Sequence, residues 1–184
     1  PEQFYIGIGN FSEKTGHVPL IYDWRAPVSG LFYDYDKVTA SYTAPAGILH
    51  GEITSKWQYK IRHGKMIYEF ESDVKIDDDI LKAELGSNGD VQLKNIVRTI
   101  QKEQNEIIRA TPYKNMIVQG VAGSGKTTVA LHRISYILYN YEEVYKPSEF
   151  CIVGSSDMLL NYISSGLPEL DVNHVRQMRM DVFL

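Results

Sequence analysis

The sequence contains little cysteine, no long apolar run and no excess of basic residues. Its single cysteine, Cys151, allows no internal disulfide and suggests a reducing compartment. No apolar stretch approaches the roughly 20 residues that a membrane-spanning helix needs, and the N-terminus has no secretory signal pattern. The net charge of −4 creates no overall basic field of the kind that marks many nucleic-acid-binding proteins. We therefore expect a cytoplasmic protein without a membrane partner.

The chain has 184 residues, of which 43% are hydrophobic, enough for one sizeable core or two small ones. The short polar segment 86–90, rich in glycine, is typical of a domain boundary. We therefore predict a β-rich region over residues 1–86 and a second domain over residues 90–184. Because the chain begins with Pro1 instead of Met and ends at Leu184 without a closing signal, we also expect a piece of a longer protein.

Short strand candidates lie at 4–9 and 19–24, broken by glycine and proline. A clearer hairpin follows Gly51, with its turn at 62–65. Apolar side chains alternate along both arms of this hairpin, at Ile53, Trp57, Tyr59 and Ile61 and then at Met66, Tyr68 and Phe70. The alternation predicts a half-buried antiparallel sheet, and an aromatic ladder that stacks on nucleic-acid bases is the alternative.

The segment Asp23-Trp24-Arg25-Ala26-Pro27 has two interpretations. It is either a contact loop whose arginine reaches a nucleotide, or an Asp–Arg pair with a tryptophan packed at a domain boundary. We favour the ion pair.

The histidines and the run of three aspartates indicate no metal site. The five histidines lie apart, at positions 17, 50, 63, 132 and 174, without the spacing of metal ligands. Three aspartates at 77–79 precede a short predicted helix, and helix capping and the helix dipole explain carboxylates at that position.

The second half alternates helix and strand signals. Apolar positions trace one face of a long helix that stops near Pro112, at Leu93, Ile96, Val97, Ile100, Ile107 and Ile108. Buried strands are predicted at 116–118 and 150–153, the second containing Cys151 as a small core residue. A helix with its N-cap in 155–157 follows, and then a strand near Val175. This order is that of a parallel α/β sheet with crossover helices.

Between the first of these strands and the next helix, residues 120–127 fit the pattern G-x-x-x-x-G-K-[ST] of a phosphate-binding loop. Glycines let backbone N–H groups curl around a phosphate, and the helix that follows presents its positive end to the same anion. Lys126 would reach the β- and γ-phosphates, and the Thr127 hydroxyl would ligate Mg²⁺. The predicted nucleotide-binding residues of this loop are Gly120, Gly123, Ser124, Gly125, Lys126, Thr127 and Thr128, and Lys126 and Thr127 are the predicted catalytic residues.

Hydrolysis of a nucleotide requires further groups. An acidic residue at a strand end usually holds Mg²⁺ and orients water, and an arginine usually contacts the γ-phosphate. No apolar strand after Lys126 ends in Asp-Glu, and helix capping explains Asp157. We therefore expect this chain to bind a nucleotide without efficient turnover.

Several segments together resemble superfamily 1 helicases of the UvrD/Rep type, and most closely the HelD branch, an RNA-polymerase-associated motor. These segments are 101–109, 120–133, 161–164 and 167–170 in the second half, and 23–27 with 31–33, 51–53 and 75–78 in the first. The resemblance implies a P-loop NTPase (RecA-like) fold for residues 90–184, as part of motor subdomain 1A, preceded by a β-rich antiparallel region. It also implies ATP and Mg²⁺ as ligands, with Gln104 reading the adenine base, and RNA polymerase as the partner of the parent protein.

Two departures from the UvrD/Rep pattern concern DNA. The Thr-Phe-Thr-Asn-like segment that contacts single-stranded DNA is replaced by 153–157, which has no aromatic residue, and a common Thr-Phe pair is replaced by Arg179-Met180. A DNA helicase acting on single-stranded or duplex DNA is therefore the second hypothesis. A nucleotide-binding module without a motor role, such as a small-molecule kinase, is the third, and a lack of adenine preference would favour it.

Overall fold

The computed structural model of the protein describes residues 2–35, 38–71 and 102–184. Within this part of the chain, helices combine with four two-stranded sheets, two of them parallel and two antiparallel. The described residues divide into two compact units, which we call the N-terminal unit (2–71, with Lys102 at the start of the first helix of the other unit) and the C-terminal unit (103–184). The polar boundary predicted at 86–90 lies outside the described residues, so the domain limits 1–86 and 90–184 stay predictions.

The N-terminal unit consists mainly of short strands. Its elements are β1 (Tyr5–Gly7), β2 (Ile21–Asp23), a 3₁₀ turn (Pro27–Ser29), α1 (Gly30–Tyr33), β3 (Thr39–Ala44), β4 (Gly47–Glu52), β5 (Trp57–Arg62) and β6 (Lys65–Glu71). β5 with β6 forms the predicted antiparallel hairpin, and β3 with β4 forms another hairpin within the region that we expected to be antiparallel. β1 and β2, however, are parallel, with Tyr5 opposite Ile21. The prediction of a purely antiparallel region is wrong here, because residues 8–20 are long enough for the crossover of about a dozen residues that a parallel pair requires.

The β5–β6 hairpin turns at the predicted place but exposes the face that we expected to be covered. Its turn residues His63 and Gly64 both have positive φ, 48° and 72°, which suits a tight hairpin turn. Trp57 and Tyr59 are 45% and 42% exposed, whereas Lys60, on the opposite face, is only 7% exposed. Alternation correctly separates the two faces of a strand, but only the surrounding structure decides which face is covered. The base-stacking alternative for this face stays a prediction.

The C-terminal unit is a parallel strand pair with helices. Its elements are α2 (Lys102–Arg109), α3 (Lys126–Asn140), a 3₁₀ turn (Pro147–Glu149), β7 (Cys151–Gly154), α4 (Asp157–Gly166), a second 3₁₀ turn (Pro168–Leu170), β8 (Arg176–Arg179) and α5 (Met180–Phe183). β7 and β8 are parallel and α4 connects them, as predicted. The start of the long helix predicted from Leu93 and the capping aspartates at 77–79 lie outside the described residues, but α2 ends before Pro112, as expected.

Two expectations for this unit are wrong. Residues 116–118 form no strand within the described chain, and Ile117 is 91% exposed. A strand needs a hydrogen-bonded neighbour, and β7 and β8 pair only with each other among the described residues. For the same reason Cys151, at the start of β7, is exposed instead of buried.

The core of the C-terminal unit lies between α3 and α4. It is a cluster of buried apolar side chains from these helices and the segment after α4, namely Leu131, Ile163, Leu167, Leu170 and Val172. The Ser135 hydroxyl donates a 2.8 Å hydrogen bond to the Leu170 carbonyl within the same region. This packing fixes α3, and with it the loop that precedes α3. None of the described helices is long and apolar enough to cross a membrane.

Candidate phosphate-binding site

The segment 120–125 is a tight loop that ends where α3 begins. Gly123 and Gly125 have φ values of 80° and 79°, in the left-handed region that a residue with a Cβ rarely adopts. Gly125 is the N-cap of α3, and the Val129 N–H donates a 2.8 Å hydrogen bond to its carbonyl. Glycine at positions 123 and 125 is therefore what lets the chain fold back in front of the helix.

Gly120 is required for a different reason. A Cβ at this position would lie 2.6 Å from the Ser124 hydroxyl oxygen and 3.7 Å from Cδ of Lys126, and the first distance would force the Ser124 side chain to move. The absence of a side chain at Gly120 lets the loop close on itself. Ser124 faces this closure, and its N–H donates a 3.3 Å hydrogen bond to the Val121 carbonyl.

The ammonium group of Lys126 lies against the loop. Its Nζ donates hydrogen bonds of 2.8 Å and 2.7 Å to the carbonyls of Gly120 and Val121, and lies 3.5 Å from the Ser124 hydroxyl. A positive charge and the N-terminal end of a helix of 15 residues therefore meet at one place. Both favour an anion, since helix N-termini carry unsatisfied N–H groups and a partial positive charge.

Gln104 lies beside this loop, although the segment 105–119 separates the two in the sequence. It belongs to α2, and its Nε2 lies 3.6 Å from the position that a Cβ on Gly125 would occupy. The fold thus brings Gln104 beside Gly125, the residue that precedes Lys126. The side chain of Gln104 is partly exposed, so it is accessible to a ligand bound at the loop.

The two threonines after Lys126 differ in their surroundings. Thr127 is partly exposed on the first turn of α3, whereas Thr128 is buried and packs toward the protein. The Thr128 carbonyl accepts a 2.8 Å hydrogen bond from Nδ1 of His132, which is fully buried. Burial lowers the pKa of His132, and the hydrogen bond to Thr128 offsets part of that shift. Thr127 is therefore the threonine that is better placed for a ligand.

Arg133 connects α3 to α2, and this role was not predicted from the sequence. Its guanidinium donates hydrogen bonds to four carbonyls at the end of α2, those of Ile107 (2.7 Å), Ile108 (3.3 Å), Ala110 (2.7 Å) and Thr111 (3.0 Å). Burial lowers the pKa of Arg133, and the neighbouring Tyr141 and Tyr136 act in the opposite direction. An arginine inside the mostly apolar stretch 129–138 indicates a partly buried charge that needs partners. Those partners lie on a different helix, so the sequence alone does not identify them.

Asp157, which follows β7, is not part of the site formed by the loop, Lys126 and Gln104. Asp157 is exposed on the first turn of α4, where Ser156 is the N-cap as predicted, and it bonds to Arg179 at 3.3 Å. Among the residues that the structure describes, no three His, Cys, Asp or Glu side chains gather as a metal site. Thr127 therefore stays the predicted Mg²⁺ ligand of this chain.

The segment 23–27 forms the ion pair that we favoured from the sequence. Arg25 is buried, and it donates from Nε to Oδ1 of Asp23 (2.9 Å) and from Nη2 to Oδ2 (2.6 Å). The backbone of Asp23 is bonded as well: its N–H donates a 2.8 Å hydrogen bond to Oδ1 of Asn10, and its carbonyl accepts a 2.6 Å hydrogen bond from the Ser29 hydroxyl. Trp24 is 3% exposed. The guanidinium is thus held within the N-terminal unit by its own neighbour in sequence.

Residues 1–87 match the sequence profile of a family described as "DNA helicase IV HelD, N-terminal domain". The first half of the chain is therefore similar to the N-terminal region of a HelD-type helicase. The match ends before α2 and before the glycine-rich loop. No curated protein matches the chain.

Proposed function

We propose that this chain is the ATP-binding portion of a HelD-type superfamily 1 motor ATPase. The observation that carries the proposal is the position of Lys126, whose ammonium lies on the carbonyls of Gly120 and Val121 at the start of α3. The similarity of residues 1–87 to the HelD N-terminal domain supports the choice of family. Under this proposal the loop and the helices around it belong to a P-loop NTPase (RecA-like) fold.

Each group of the site would take a separate part of the ligand. The loop N–H groups and Lys126 would bind the β- and γ-phosphates, and the Thr127 hydroxyl would hold Mg²⁺. Gln104, beside Gly125, would bind the adenine base, because its amide both donates and accepts hydrogen bonds. Since no acidic strand end follows the loop in the sequence, we expect binding of ATP without efficient hydrolysis by this chain.

We further propose that the parent protein acts on RNA polymerase. Arg179, at the end of β8, is bonded to the carboxylates of both Asp157 and Asp181. DNA affinity depends on cations that neutralise phosphates, and this arginine is already paired with two acidic groups. The alternative, a DNA helicase, is favoured by the description of the matching family.

Replacement of Lys126 tests the phosphate-binding assignment. We expect Lys126→Ala to weaken ADP and ATP binding by about 10- to 100-fold, because a hydrogen bond to a charged group contributes roughly 1.5–3 kcal/mol. Titration calorimetry with Mg²⁺ present measures the effect. Lys146→Ala is the matched control, since Lys146 also donates to a carbonyl, that of Glu142 at 2.7 Å, but in a different segment. Equal binding by the wild type and Lys126→Ala would show that the loop is not the phosphate site.

The full-length parent protein distinguishes the two motor hypotheses. Its ATPase rate is measured alone, with single-stranded DNA and with RNA polymerase. We expect stimulation by the polymerase and little response to DNA. Stimulation by DNA alone would establish the helicase hypothesis and would make the altered 153–157 segment a tolerated variation.

A further inference from the structure

Helices α2 and α3 are connected by two arginines that reach across in opposite directions. From α3, Arg133 donates to four carbonyls at the end of α2. From α2, Arg109 lies over the Tyr136 ring of α3, 5.2 Å from its centroid, and also donates a 3.0 Å hydrogen bond to Asn105. We call this set of contacts the α2–α3 clamp.

The Arg133 contacts satisfy groups that α2 cannot satisfy itself. The last carbonyls of a helix have no intrahelical partner, and a cation near them is favourable because of the helix dipole. A planar guanidinium presents up to five N–H donors in a fixed arrangement. One side chain can therefore fix both the position and the direction of the end of α2.

The clamp lies on the same sides of the two helices as the candidate site. On α3, Arg133 follows Lys126 by seven residues, which is close to two full turns, so the two residues share a face. On α2, Gln104 and Ile108 are four residues apart and share a face, and Ile108 is only 1% exposed. The position of Gln104 relative to the loop therefore depends on how the end of α2 is held.

We propose that Arg133 is a positioning residue that sets base selectivity at this site by holding Gln104 beside Gly125. The inference rests on the proposed function. The N–H donors of Arg133 keep α2 at one distance and one angle from α3, so that the Gln104 amide meets a purine edge with defined geometry. The phosphate contacts of the loop do not depend on α2, since the loop is closed by its own glycines and by Lys126.

The test separates binding of the base from binding of the phosphates. Affinities of the 184-residue chain for ADP, GDP and inorganic pyrophosphate are measured with Mg²⁺ for the wild type, Gln104→Ala, Arg133→Lys and Arg133→Gln. We expect both Arg133 variants to reduce the preference for ADP over GDP by roughly 2- to 10-fold, the contribution of about one hydrogen bond. Pyrophosphate affinity should stay unchanged. Arg176→Lys, at an exposed arginine of β8, is the matched control.

The double variant provides the decisive comparison. If Arg133 acts through Gln104, Arg133→Lys should not reduce the preference any further in a Gln104→Ala background. A full reduction there, or an equal loss of affinity for pyrophosphate and ADP, would overturn the proposal and would leave Arg133 a residue of the fold alone. A wild type that binds pyrophosphate but prefers neither base would also overturn it. That outcome is distinguishable from failure of the proposed function, in which Lys126→Ala changes no affinity.

Discussion

The two units each contain an arginine–aspartate pair, and the pairs have nearly the same geometry. In both Asp23–Arg25 and Arg179–Asp181 the partners are two residues apart and the Nε–Oδ1 distance is 2.9 Å. The Nη2–Oδ2 distances are 2.6 Å and 2.7 Å. The side chains of Arg25 and Asp23 are 9% and 3% exposed, whereas those of Arg179 and Asp181 are 45% and 60% exposed. The two side-chain bonds within each pair are alike, and the exposure of the side chains is what differs.

This difference shows what each pair contributes. The pair in the N-terminal unit is shielded from water, and the backbone of Asp23 is bonded to Asn10 and Ser29, so removal of one side chain takes the opposite charge away from a buried ion. The pair in the C-terminal unit is surrounded by water and ions, which weaken the attraction between its charges. The first pair therefore belongs to the architecture of its unit. The second pair mainly affects the local charge of the protein surface.

The largest effect is expected for Asp23→Ala. We expect a loss of about 3–5 kcal/mol in the free energy of unfolding, because the change removes the carboxylate that accepts two hydrogen bonds from the buried guanidinium of Arg25. Urea unfolding followed by tryptophan fluorescence measures it. Both tryptophans of the chain, Trp24 and Trp57, lie in the N-terminal unit, so this signal reports on that unit.

Asp181→Ala is the matched control for this comparison. It removes a carboxylate with the same geometry from the exposed pair, and we expect a loss of about 0–1 kcal/mol. Circular dichroism at 222 nm follows it, because every described helix of eight residues or more lies within 102–184. Comparable losses for the two variants would mean that burial does not separate the pairs.

A smaller effect that depends on pH is expected from His132 in the C-terminal unit. Because burial lowers its pKa, the unfolded chain binds the proton more readily than the folded chain at pH values below about 6.5. Stability should therefore be complete above that pH and fall as the pH decreases, by at most about 1.4 kcal/mol per pH unit. The circular dichroism signal should register this loss, whereas the tryptophan signal should not.

His132→Gln checks the assignment, because glutamine does not titrate and can still donate to the Thr128 carbonyl. We expect it to flatten the dependence of the urea midpoint between pH 7.5 and pH 5.5. His174→Gln, at an exposed position of the same unit, is the control and should leave the dependence in place. An unchanged slope in His132→Gln would assign the pH dependence to another group.

Predictions from the sequence succeeded where a short segment contains its own physical cause. The His63-Gly64 turn, the Ser156 N-cap, the start of α3 after the glycine-rich loop and the Asp23–Arg25 pair each depend on residues a few positions apart. Gln104 was predicted only through the resemblance, since its position beside Gly125 requires α2 to fold back along α3.

Predictions failed where the cause lies in a distant segment. Residues 116–118 have the composition of a strand but no hydrogen-bonded neighbour among the described residues. The hairpin that contains Trp57 has the correct alternation, but Lys60 is on its covered side. The partners of Arg133 are backbone carbonyls at the end of another helix. Because every residue has a backbone carbonyl, the sequence of side chains does not show which carbonyls an arginine will bind.

The exposed position of Cys151 makes the chain well suited to spectroscopy. A thiol-reactive dye would attach at one site, because the chain contains a single cysteine. That site is in the C-terminal unit, whereas both tryptophans are in the N-terminal unit. The native sequence therefore supplies an energy donor in one unit and an attachment point for an acceptor in the other. Titration with ADP then tests for a change in energy transfer between the units without any substitution.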